Sequence, residues 1–217
     1  MSTTQSAVLE SSGPVTGTAA LEALAGVAIV VLTILGLAHV APVFLVAIAT
    51  IIAGIALLSQ GSTIAAEYAR LLTSRGDIVV PISGGSTWSL ELLAGAAGIV
   101  LGILALLNLY PIELVAIAAI AFGGGLILSS GPAAQLFTLR TTSTYPDERA
   151  RRLAAEAASN SAMSQGMVGL AAVVLGILAL AGFVSLTLIL IALLATGVFL
   201  LVNGSTVGGL MLSVFRR

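Results

Sequence analysis

The chain has 217 residues, of which 59% are hydrophobic and 8% charged, with a formal net charge of −1 and no cysteine. A soluble domain of this size has about a quarter of its residues charged, so much of this surface is suited to lipid and not to water. No basic stripe is available for nucleic acid, and the lack of cysteine excludes disulfides, thiolate catalysis and thiolate-bound metal.

Residues 1–18 are rich in Ser and Thr, carry only Glu10 as a charge, and have no positive leader; they predict a polar N-terminal tail. Apolar runs then come in pairs: 20–38 with 42–59, 90–109 with 111–129, and 167–184 with 186–203. Each is near the roughly 20 residues that cross a hydrocarbon core as a helix. The gap within a pair is only a few residues, so the two helices must run antiparallel. The predicted fold is an all-α integral membrane protein with six transmembrane helices in three tandem hairpins. The hairpins are placed at 19–61, 89–131 and 164–206, with connections at 62–88 and 132–163 and a C-terminal tail at 207–217.

The hairpins are also alike in sequence. IVLGILAL at 99–106 returns as VVLGILAL at 173–180, and LEALAGVAIVVLTILGLAHVAP (21–42) aligns with LELLAGAAGIVLGILALLNLYP (90–111). A unit of about 70 residues present three times explains this, and such periodicity governs how any local motif is read. Gly26, Gly95, Gly98, Gly102, Gly169 and Gly176 are predicted to form helix-packing faces, because small residues let membrane helices approach closely. A substrate pathway is the alternative for the same glycines. Pro42 and Pro111 open the second helix of their hairpins, where a missing N–H does no harm, and the run Gly123–Gly125 is expected to loosen its helix.

In the first connection, residues 62–75 place Ile64, Tyr68, Leu71 and Leu72 on one face, as in an amphipathic helix lying along a membrane. Residues 76–88 predict an ordered loop ending in Trp88, an interfacial anchor. In the second connection a capping-box pattern, Thr144-Tyr145-Pro146-Asp147, precedes a charged helix with i,i+4 pairs Glu148–Arg152 and Arg152–Glu156. Arg70, Trp88, Arg149, Arg151 and Arg152 are the candidate contacts for lipid or a partner. The eight arginines all lie in the connections or at the C-terminus. By the positive-inside rule that face is cytoplasmic, with both termini inside, in a bacterial inner membrane.

Little points to chemistry. There is one histidine, His39, in an outer turn, and no HExxH, GxSxG or Walker pattern. No catalytic residue, metal ligand or cofactor is predicted; a membrane enzyme would need a site assembled from the connections. Glu22 and Glu91 stand at equivalent positions near the start of the first helix of their hairpins, and Gln165 replaces them in the third. The helix dipole accounts for a carboxylate there, with a carboxylate ring about a pseudo-threefold axis as the functional alternative. Glu113, in the second outer turn, is an acidic counterpart to His39. Thr33, Thr50, Thr187, Thr196, Asn108 and Asn203 are expected to bond to helix backbone or to neighbouring helices.

The unit LAGAAGIVLGILALLNLYP (93–111) and its copies pair a small-residue helix face with a short, usually Pro-bearing turn and a second helix closing in Gly. In this it resembles the short repeat of the HdeD family, the DUF308 membrane proteins. The resemblance implies six spans in three hairpins, an association with acid-stress resistance, and no catalytic residues. The expected function is non-enzymatic, acting by packing and assembly. The chain is then either HdeD-like and stress-associated or an accessory subunit of a larger membrane complex, in contact with lipid and with other subunits or its own copies. The alternative is a passive channel or small-molecule transporter, which requires Thr and Asn side chains along a wet route and is excluded by a sealed Leu/Val/Ile centre.

Overall fold

The computed structural model describes the backbone of residues 13–75, 85–144, 148–183 and 185–215. Side chains are described within 20–62, 90–130, 162–183 and 185–204, together with Glu156, Ser159 and Asn160. The elements are six helices: α1 (Gly13–Leu37), α2 (Pro42–Arg75), α3 (Gly85–Leu106), α4 (Pro111–Thr144), α5 (Glu148–Leu180) and α6 (Ser185–Phe215), with no strand among the described residues. Five carry apolar segments long enough to cross a membrane: Ala20–Leu37, Pro42–Ser62, Pro111–Ser130, Ala162–Leu180 and Ser185–Gly204. The described apolar part of α3, Leu90–Leu106, is shorter, so five helices meet the length where the sequence predicted six.

The turns come first, because they set the pairing. At the end of α1, His39 N–H donates to Gly36 O at 3.0 Å and Val40 N–H to Leu35 O at 3.1 Å. Asn108 and Leu109 make the same two bonds after α3, to Ala105 O and Leu104 O, and Gly182 and Phe183 make them after α5, to Ala179 O and Leu178 O. This pair of bonds is the Schellman motif, which satisfies helix-end carbonyls and needs a left-handed residue at its fifth position. His39 (φ 65°), Asn108 (φ 61°) and Gly182 (φ 87°) supply it. An apolar residue follows each time: Val40, Leu109, Phe183. Pro42 and Pro111 then open α2 and α4, where their fixed φ suits the first turn.

At the other end the sequence expectation needs correction. The stretch 62–75 is not a separate amphipathic helix, since α2 runs without a break from Pro42 to Arg75. α4 passes Gly131 and Pro132 and ends at Thr144, and residues 145–147 of the capping-box pattern lie outside the described residues. The charged helix and the fifth span are one element of 33 residues. α3 starts at Gly85, inside the expected loop, while residues 76–84 of that loop and the acid Asp147 lie outside the described residues.

The helices pack as a closed ring. Each touches its neighbour in sequence, and α1 also packs on α6; α2, α4 and α6 touch one another inside, whereas α1, α3 and α5 make no mutual contact among the described residues. The centre is apolar: Val46, Ala53, Leu57, Val115, Phe122, Leu126, Ile189 and Leu200 lie there, none more than 1% exposed. Outer helices turn Leu24, Leu93, Met167 and Leu170 outward, all strongly exposed. Around these apolar segments the natural surround is hydrocarbon, in which helices satisfy all their backbone groups internally.

Candidate functional site

Glycines make the tightest contacts between hairpins. A methyl built on Gly95 would lie 2.8 Å from Gly54 O, one on Gly169 2.7 Å from Gly123 O, and one on Gly26 2.8 Å from Gly197 O. These are the α3–α2, α5–α4 and α1–α6 seams, and at each of them the backbones touch. Gly102 faces Ala47 O and Ile51, Gly176 faces Ala116 O and Ile120 in the same way, and Gly98 takes the ring of Phe122. Since lipid tails are as apolar as Leu, such packing, and not burial from water, holds membrane helices together. The side chains of Arg70, Trp88, Arg149, Arg151 and Arg152 lie outside the described residues.

Buried hydroxyls are absorbed locally. Thr33, Thr50 and Thr196 donate to the carbonyls of Ile29, Val46 and Ala192 four residues back, at 2.7, 2.7 and 2.9 Å. They form no lining. Thr187 and Asn108 are exposed and Asn203 is half-buried.

The unusual place is the end of the bundle opposite the turns. There, each helix has polar residues within three residues of the end of its apolar segment, among them Glu22, Gln60, Glu91, Ser129, Gln165 and Asn203. Gln60 Nε2 donates to Glu22 Oε1. Gln165 Nε2 donates to Ser129 Oγ at 2.7 Å, and Ser129 Oγ donates to Leu126 O at 3.2 Å. Glu91 is 2% exposed, and its Oε2 has no hydrogen-bond partner among the described residues. Leaving such a group unpaired costs about 1–3 kcal/mol, and more when it is charged.

The sequence explains why Glu91 differs from Glu22. Ser129 follows Gln60 by 69 residues, the spacing that also separates Glu91 from Glu22. Where the first hairpin offers Glu22 a long amide donor, the second offers Glu91 a short hydroxyl that is already occupied by Gln165. Glu91, Ala94 and Gly98 share the stripe of α3 that meets α4, since a methyl on Gly125 would lie 3.0 Å from Ala94 Cβ and 3.7 Å from Glu91 Cα.

The dipole account of these carboxylates does not hold. Neither α1 nor α3 has an acidic residue in its first turn, because both helices begin well before Glu22 and Glu91, and the dipole effect fades beyond that turn. It applies to Glu113, in the first turn of α4. Sequence reasoning passed over Gln60 and Ser129, although the constant 69-residue spacing marks both. Among the described residues no group of three or more His, Cys, Asp or Glu is placed to hold a metal ion.

No family model, no curated protein and no solved structure matches the chain.

Proposed function

We propose that the chain is a multi-pass, non-enzymatic membrane protein built from three repeated hairpins, acting by packing and assembly. The observation that carries this reading is the centre of the ring, where α2, α4 and α6 close on one another through apolar side chains. A conduit needs polar groups along its axis, and the buried threonines nearest to it spend their hydroxyls on their own helices. The shared turn motif and the equivalent glycine seams support triplication of one unit. The arginines at the end away from the turns support a cytoplasmic placement of both termini, in a bacterial inner membrane. The HdeD-like likeness supports a stress-associated role, and the apolar outer faces of α1, α3 and α5 equally suit an accessory subunit docked on a larger complex.

Extraction from native membranes in mild detergent, followed by sizing and mass spectrometry, tests the assembly reading, and flux assays in liposomes test the sealed centre. The expected outcome is a defined homo-oligomer or a stoichiometric complex, with no solute or ion flux above that of empty liposomes. A lone monomer that conducts would overturn the reading in favour of a channel.

A further inference from the structure

We propose that Glu91 binds one small cation, a proton or an alkali-metal ion, at the end of the bundle away from the turns. A carboxylate removed from water is sustained only by a counter-charge, hydrogen bonds or a bound positive ion. Glu91 is 2% exposed and its Oε2 is unpartnered among the described residues. Among the described residues, no cationic residue occupies a backbone position level with it on the two helices packed against α3. Glu67 and Arg70 of α2 come seven and ten residues after Gln60, about 10 and 15 Å further along the axis. On α4, Arg140 is eleven residues beyond Ser129, about 16 Å, and Glu113 is at the opposite end.

The chemistry of the donors narrows the ligand. The layer offers carboxylate, hydroxyl and amide oxygens, with no imidazole or thiolate, so it suits hard cations and not transition metals. Glu22 already receives the Gln60 amide, which leaves Glu91 as the group that takes the positive charge.

The test is labelling of the full-length protein in native membranes with dicyclohexylcarbodiimide, which attacks protonated carboxyl groups in apolar surroundings. Peptide mass spectrometry identifies the labelled glutamates, with NaCl, KCl or choline chloride at equal ionic strength and across a pH series. Glu91 is expected to take the label near neutral pH while the exposed Glu113 and Glu156 do not. Loss of label with Na⁺ or K⁺ but not with choline identifies an alkali-metal ion, and loss only on raising the pH identifies a proton. Labelling of Glu91 that is absent at every pH, or no faster than that of Glu113 and Glu156, would overturn the proposal. Ser129→Gln supplies the donor that Gln60 gives Glu22, so it is expected to suppress the label at Glu91 with the fold intact. An unchanged label in S129Q would also count against the proposal.

Discussion

His39 looks at first like the one titratable oddity of the chain, yet its backbone explains its place. It sits at φ 65° and donates to Gly36 O, as Asn108 and Gly182 do at the other two turns. Histidine, asparagine and glycine have little chemistry in common. They share tolerance of the left-handed region. For a side chain with a Cβ that conformation still costs about 1 kcal/mol or more, so His39→Gly is expected to raise the stability of the protein by about 1 kcal/mol. Thermal unfolding in detergent measures it, and a lower midpoint in H39G would show that the imidazole contributes something the cap does not need. The proline openings of α2 and α4 were legible in the sequence. The left-handed caps were not, because three different residue types fill one geometric role.

On the scale of helices, neighbouring glycines in α4 have opposite duties. A methyl on Gly123 would run into Gly169 O and Val173, whereas one on Gly124 meets nothing within 4 Å. Gly123→Ala therefore pries α4 from α5 and is expected to cost about 1–3 kcal/mol, as overpacking does. Gly124→Ala removes a flexible residue from a helix and is expected to stabilise by about 0.5–1 kcal/mol. Denaturation of the two variants side by side checks the contrast, and equal effects would sink it. The sequence reading treated the three glycines as one loosening run, since pattern alone does not tell which way each faces. It also ended the helices where apolar residues thin out near Gly61 and Gly131. Composition reports the surrounding solvent, but the i→i−4 ladder does not depend on it, and α2 and α4 run on. The same error placed Glu22 and Glu91 at helix starts.

Across the whole molecule, the contact that the order of the chain least suggests is the one between α1 and α6. A methyl on Gly36 would lie 2.8 Å from Leu190 Cδ2. A Gly36→Cys, Leu190→Cys pair is thus expected to oxidise to a disulfide joining the first and last helices. The natural chain has no cysteine to compete. Faster migration on a non-reducing gel, in the double variant and not in either single one, is the expected reading. An open arrangement of hairpins would leave the thiols free. The hairpin pairs were legible from apolar periodicity, but ring closure was not, because nothing local encodes which outer face meets which. The inner helices also depart from strict equivalence. Phe122 falls where the first hairpin has Ala53, and Phe199 where it has Ala56, all in one packed cluster. One large ring fills what smaller partners leave, as a close-packed interior requires.

Ring closure also has a consequence for biosynthesis. α1 leaves the ribosome long before α6, yet the surface that Gly26 fits is on α6, at residues 197 and 201. Until then the opening helix holds half a seam against lipid or a chaperone. Closure of the ring must therefore wait for the docking of α6. A chain stalled before it would keep two hairpins with nothing to close them, and the quality-control machinery would see an unfinished groove along α1.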